Sequence, residues 1–242
     1  HKVRDWISIG GNLQASYVDR DRAQDKLENA LVTDPLVRPY REDGTLNPDL
    51  GNNVYNLLLD YQPGVYGNVQ NNTKIFLNPY IEVRPVKGLT FLSRAGVQMN
   101  YSNSYRFDGI GSVNYTYTNA GIAKARINQN RFQGLQWENI LTYNLKLAED
   151  HDFTFTGVTS WYDNQNTNTE MNQSNITSNN FKWYKFTGDV NTTAISSYNM
   201  SKTLGLMGRV NYSYLGRYLF SASIRRDGAS VLYEENRWDN FP

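Results

Sequence analysis

The sequence predicts an all-β chain: about seven antiparallel strands and the start of an eighth, forming part of a large up-and-down transmembrane β-barrel with long extracellular loops. Three observations predict it. Long ribbons keep a two-residue polarity period; three short turns alternate with long polar loops; and every short turn falls at one end of the strands, every long loop at the other. A soluble sandwich with Greek-key connections has no reason to segregate its loops this way.

Composition narrows the classes. Only 39% of the 242 residues are hydrophobic, and no apolar run approaches the ~20 residues of a transmembrane helix. A barrel strand escapes that limit, because it exposes apolar side chains only at alternate positions. The aromatic share of 14% suits strands and interfacial belts. A net charge of +1 offers no polybasic footprint for nucleic acid, and the absence of Cys leaves no disulfide or thiolate metal site. The chain opens on His1 without a signal-peptide pattern and closes on Phe241-Pro242 where a strand is starting, so residues 1–242 read as a middle portion of a longer barrel domain.

The elements follow in order. The first strand spans about Trp6 to Tyr17, with Ile7, Ile9, Leu13, Ala15 and Tyr17 on one face. A polar connection from about Val18 to Asn72 follows, with a short amphipathic helix expected over Asp21 to Leu31. The second strand, about Lys74 to Arg84, contains Pro79, which removes a ladder donor and predicts a bulge or a locally open edge. The turn Pro85-Val86-Lys87-Gly88 leads into a third strand, about Leu89 to Tyr101. Between Ser102 and Gly134 an extra hairpin is expected, from Val113–Tyr117 and Ile122–Ile127. The fourth strand covers about Leu135 to Leu147, the turn Glu149–Asp152 follows, and the fifth covers Phe153 to Tyr162. A third loop, rich in Asn, Thr and Ser, covers about Asp163 to Ser201. In the sixth strand Leu204, Leu206, Gly208, Val210, Tyr212 and Tyr214 share a face opposite Met207, Arg209 and Asn211; after the turn Leu215–Arg217 the seventh continues that face with Tyr218, Phe220, Ala222 and Ile224.

Tyr17, Tyr101, Trp137 and Trp161 fall at the long-loop ends, and Phe153, Tyr212, Tyr214 and Tyr218 near the short turns, as two interfacial girdles require. Trp6 has the opposite parity and no place in either girdle. The opposite faces, with Arg94, Gln98, Glu138, Lys146, Arg209 and Asn211, would line an aqueous lumen.

The run Gly208-Arg209-Val210-Asn211-Tyr212-Ser213-Tyr214, then Arg217-Tyr218-Leu219, Ala222-Ser223 and Arg225-Arg226-Asp227-Gly228, closely resembles a motif block of the SusC/RagA-type TonB-dependent outer-membrane transporters. Asn236-Arg237-Trp238 and Phe241-Pro242 look like that family's next strand start; Ser230 fits its pattern and Ala229 departs from it. Tyr80-Ile81-Glu82-Val83 with Pro85-Val86-Lys87-Gly88-Leu89 is similar to a family hairpin, and Asn56-Leu57-Leu58-Leu59-Asp60-Tyr61 to a loop segment before it. The resemblance implies a 22-stranded barrel with an N-terminal plug, a bacterial outer-membrane location, import of glycan or peptide oligomers driven through TonB, and a SusD-like lipoprotein lid. The plug and the TonB-contacting segment have no counterpart in these residues. A passive pore or adhesin barrel shares the strand features, and a soluble carbohydrate-binding β-domain is the remaining alternative.

No catalytic, cofactor or metal set stands out. Asp19, Asp21 and Asp25 lack the Gly and terminal Glu of a calcium loop and read as a solvated face. His1 and His151 make no zinc constellation, and no paired-carboxylate cleft is recognisable. Candidates for substrate or partner contact are Arg226 and Asp227, where a strand enters a loop, and Trp183 and Tyr184, an aromatic cluster with Phe181 and Phe186 in a polar loop. The blander readings are a strand rim and a loop packed on its own rings.

Overall fold

The computed structural model describes residues 2–23, 31–51, 54–148 and 150–242. Its strands are β1 (Lys2–Arg4), β2 (Ile7–Asp21), β3 (Tyr66–Val83), β4 (Leu89–Asp108), β5 (Lys124–Leu147), β6 (His151–Gln173), β7 (Thr192–Tyr214), β8 (Tyr218–Ala229) and β9 (Trp238–Phe241). They form one antiparallel sheet in which each strand lies beside its sequence neighbours. β2 to β8 are the seven expected strands and β9 the start of the eighth; β1 is an addition, a short hairpin arm on β2. Trp6 lies in the turn between β1 and β2, where its carbonyl accepts from the Arg84 N–H at 2.7 Å. Strand parity therefore does not apply to it.

The strands are longer than the apolar pattern. β5 has 24 residues and β6 and β7 have 23 each, while ~9–11 tilted residues cross a bilayer. Pairing of β5 with β6 runs unbroken from Ala125↔Gln173 to Leu147↔His151, and that of β6 with β7 from Gln173↔Thr192 to His151↔Tyr214. The sequence expectation of long loops over 102–134 and 163–201 is thus corrected: most of those residues extend the sheet, leaving 109–123 and 174–191 as loops. The expected hairpin does not form either. Asn114–Thr118 makes one helical turn, and Lys124 to Ile127 belongs to β5. The expected helix over Asp21–Leu31 falls mostly on residues 24–30, outside the described residues, as does Asp25. Asp19 and Asp21 sit on β2 itself, opposite Asn71 and Val69.

Pro79 opens the ladder without shifting it. β3 pairs with β4 at Leu77↔Val97 and again at Tyr80↔Arg94 in the same register, and on its other side Pro79 stays opposite Gly11. Gly11 permits this approach, since a Cβ there would lie 3.0 Å from the Pro79 Cα. At the turn between β7 and β8, Leu215 and Gly216 have φ of 52° and 65°, and the Arg217 N–H donates to the Tyr214 carbonyl at 3.0 Å. Two left-handed residues match the twist of the flanking strands.

The two faces differ as the polarity period requires. Large apolar side chains stand open on one face, with Leu13 70%, Trp137 54% and Ile224 63% exposed, whereas inward Ser160 is only 7% exposed. Curvature explains the contrast: side chains splay on the convex face and crowd on the concave one. The buried hydrophobic residues among those described are Val54, Phe107, Val113, Ala123 and Ala125, all at the long-loop end. Five such residues cannot hold a water-soluble chain of this size together, and among the described residues no second layer covers the apolar rows. Hydrocarbon is the solvent that suits them. Outward polar groups inside the band find each other: Trp137 Nε1 donates to Ser93 Oγ at 3.0 Å, and Asn139 Nδ2 to Thr159 Oγ1 at 3.2 Å.

Candidate functional site

The concave face carries a row of directly opposed residues: Tyr80, Arg94, Glu138, Ser160, Gly205 and Asp227. Alternation fixes the row, since each strand contributes its inward parity. The Arg94 guanidinium pairs with the Glu138 carboxylate. Arg225 Nε donates to both oxygens of Asp227, at 2.9 and 2.7 Å. Gly205 makes room for this traffic, because a Cβ there would come within 2.6 Å of Ser160 Oγ and 2.7 Å of Asp227 Oδ1. Such part-exposed pairs contribute only ~0–1 kcal/mol each to stability. Their consequence is a lumenal wall that presents ordered charge to water. Arg94 and Glu138 lie on the face read as lumenal from sequence.

The remaining sequence candidates separate. Arg226 and Asp227 are neighbours on β8 and so face opposite ways: Asp227 joins the inward row, while the Arg226 guanidinium lies 5.3 Å from the centroid of the Trp238 ring on the outward side. Trp183 and Tyr184 belong to the loop 174–191. Trp183 covers Gly67, where a Cβ would meet its ring at 2.7 Å, and tilts against Tyr105 with centroids 5.8 Å apart. Tyr184 is its neighbour at 5.7 Å and remains exposed.

The long loops hold one another at the same end. Asn56 caps the single turn Leu57–Leu59 by accepting from the Leu58 N–H at 3.1 Å, and its side-chain amide donates to the Pro39 and Asn47 carbonyls, each at 2.8 Å. Asp60 Oδ1 accepts from the Val113 N–H at 2.8 Å, and Tyr55 stacks on Tyr117 with centroids 3.9 Å apart. Asn179 ties the third loop in, accepting from the Ile110 N–H at 2.7 Å and donating to the Ile110 carbonyl at 3.0 Å. Asp189 turns the end of that loop; its carboxyl is held below the usual aspartate range by the Asn191 N–H and the Thr187 hydroxyl. Of these, only the Asn56–Asp60 segment carried a sequence signal, an Asn at a cap position before three leucines.

Below this platform a polar basin of about 520 Å³ opens. Arg106, Arg126, Asn172 and Thr193 cross it in one register row of inward parity. Arg106 pairs with Asp108 at 3.1 Å, and Asn114 Nδ2 donates to the same carboxylate at 2.8 Å. Arg126 Nε donates to Asn172 Oδ1 at 2.7 Å, with Glu170 at 3.7 Å. Lys124, opposite Asp108, also lines the basin. Sequence reasoning missed this set, because all these residues lie in the connections expected over 102–134 and 163–201, with Asn114, Lys124 and Arg126 in the short hairpin expected within the first.

A single sheet with a lipid-compatible convex face, a charged concave face, tight turns at one end and packed loops at the other defines a stretch of outer-membrane β-barrel wall. The relatives of the chain give its family. A TonB-dependent receptor of Formosa agariphila is 35% identical over 189 residues, 74% of this chain and 17% of that protein. A second from the same organism is 26% identical over 250 residues, covering 100% of this chain and 24% of its own length. The TonB-dependent receptor SusC of Bacteroides thetaiotaomicron is 54% identical over 35 residues, 14% of this chain and 4% of that one. Among solved structures, the RagAB peptide transporter matches with a TM-score of 0.79 at 17% identity over 99% of this chain and 28% of that chain, and the RagAB peptide importer in its open-open state with 0.78. No protein-family model matches. The chain belongs to the TonB-dependent receptors of the SusC/RagA type, as barrel wall, and spans about a fifth of the length of the curated relatives it matches.

Proposed function

We propose that residues 1–242 are a middle portion of the barrel domain of an outer-membrane importer that takes up nutrient oligomers, glycan or peptide, with energy delivered through TonB and a SusD-like lipoprotein over the long loops. The observation that carries the reading is the division of β4 to β8 into an apolar outward face and an inward row of paired charges, in a chain whose relatives are TonB-dependent receptors. An open sheet in hydrocarbon would leave backbone donors and acceptors unpaired, so the reading requires further strands on both sides. In this role the wall is not enzymatic. The convex face meets lipid and the inward row meets plug and solute. The loops 31–65, 109–123 and 174–191 meet substrate and lid, with Tyr184 and Asp227 as contacts; Arg226 over Trp238 meets the lipid headgroup layer.

The test is uptake. Cells carrying the full parent gene should accumulate a labelled oligomer and lose that ability when TonB is deleted. Uptake that persists without TonB would replace the importer with a passive pore.

A further inference from the structure

The basin under the loops holds more positive charge than the ladder needs. Arg106 and Arg126 are directly opposed across β4 and β5, and like charges in that arrangement destabilise the pairing. Lys124 adds a third cation. Within the lining only Asp108 stands against these three cations, with Glu170 and Asp189 just outside it. Both arginines are held by Nε: Arg106 Nε lies 3.1 Å from Asp108, and Arg126 Nε donates to Asn172 at 2.7 Å. Arg106 Nη2 also reaches Asp108 at 3.4 Å, so Arg106 is held by two atoms and Arg126 by Nε. Arg126 keeps 59% of its side chain exposed.

We propose that this basin is a substrate subsite that selects acidic oligosaccharides, with the Arg106–Arg126 pair and Lys124 receiving a carboxylate or sulfate and the amides around them receiving ring hydroxyls. A planar guanidinium matches either acidic group with two parallel hydrogen bonds. The rest of the lining argues for a saccharide over a peptide. Asn114, Asn119, Asn172 and Asn191 keep amide hydrogens or lone pairs beyond their own contacts, as hydroxyl-rich rings require, whereas Gln173 is buried with its amide engaged by Ser174, Thr187 and Thr192; the apolar lining is limited to Ala125 and Val190. Its volume is that of a small-ligand pocket, enough for a short segment of an oligomer. The position, on the inward parity at the long-loop end, puts it on the path of entry. The proposal rests on the importer reading and specifies its cargo.

The experiment uses the full-length transporter purified in detergent, titrated calorimetrically with trigalacturonate, a sulfated carrageenan tetrasaccharide, maltotriose and triglutamate. One or both acidic saccharides should bind at least tenfold more tightly than maltotriose, with affinity falling as salt rises. Arg126→Gln and Lys124→Gln should each weaken acidic binding about tenfold without changing maltotriose binding. Variants are compared only where heat-modifiable mobility shows a folded barrel, and Arg209→Gln, inward but remote, controls for charge removal. Equal binding of maltotriose and the acidic saccharides, or no response to either basin variant, overturns the subsite. Tighter binding of triglutamate than of both acidic saccharides also overturns it in favour of a peptide site. Each of these leaves TonB-dependent uptake intact, whereas loss of TonB dependence strikes the importer reading instead.

Discussion

Exchanging two adjacent residues on β7 tests the facing of the whole sheet. Arg209 points inward and Val210 outward, opposite Ser223 and Ala222. The outward band on β7 runs from Leu204 to Tyr214, about 34 Å along the strand and roughly 26 Å along the barrel axis at a tilt near 40°. Val210 lies four positions from Tyr214, about 10 Å above that rim, in the interior of the band. Arginine there should cost about 2–4 kcal/mol, roughly a 30- to 900-fold loss in the folding equilibrium. The double variant Arg209→Val, Val210→Arg keeps the composition and should carry the same penalty. Met207→Arg, inward and opposite Arg225, should cost no more than about 1 kcal/mol of like-charge repulsion. The assay is guanidinium unfolding of the full-length barrel in lipid vesicles, followed by tryptophan fluorescence. If Val210→Arg proves no costlier than Met207→Arg, the assigned faces are wrong and the membrane reading fails with them.

Gly205→Val should push Asp227 away from Ser160 and cost about 1–3 kcal/mol through overpacking, read in the same unfolding assay; Gly157→Val, where a Cβ meets nothing within 4 Å, should not. Trp183→Ala should release the loop 174–191 from Gly67 and Tyr105 and speed its cleavage by added protease severalfold, with barrel stability unchanged. Asp189 titrates below the usual aspartate range, so the turn it holds is favoured at neutral pH and loosens only as acid protonates it. Carboxyl NMR should accordingly place its midpoint below that of an unfolded aspartate, and Asp189→Ala should raise hydrogen exchange at Asn191.

How much was legible in the sequence follows from what each segment faces. Where one side of a strand meets lipid and the other water, alternation is strong, and the readings Leu204–Tyr214, Phe153–Tyr162 and Leu135–Leu147 meet the short-turn ends of β7, β6 and β5 within two residues, while each strand runs 11 or 12 residues further at its other end. Where both sides meet water, no alternation is required. Residues 163–173 and 192–202 therefore read as an Asn- and Thr-rich loop although they are paired strands, held by contacts such as Asn130 Nδ2 to Asn166 Oδ1 at 3.2 Å. Misreading those strands, together with the 102–108 end of β4 and the 124–134 end of β5, hid the basin, whose strand-borne side chains project from these extensions. The mutual anchoring of loops by Asp60, Asn179 and Tyr55 joins positions far apart in the chain, and a single sequence carries no trace of it.

The strand extensions also explain why the mouth can hold a shaped polar site at all. A loop rising from the membrane rim would pay conformational entropy for every ordered residue. β5, β6 and β7 instead continue one hydrogen-bonded register past the Trp137–Trp161 level, so the arginine row at Arg126 rests on the same ladder as the inward charges at Glu138. From Glu138 to Arg126 is twelve residues of unbroken strand, about 40 Å of rigid ladder. Inward parity is conserved along it, and a polar face inside the membrane therefore becomes a polar face at the mouth without any change of element. Inserting a single residue into β5 between these levels should turn Arg126 and Lys124 outward while leaving Glu138 in place, removing two of the basin's three cations without altering composition near it. Retention of acidic-ligand binding by such an insertion variant would show that the loops, not the ladder, set the site.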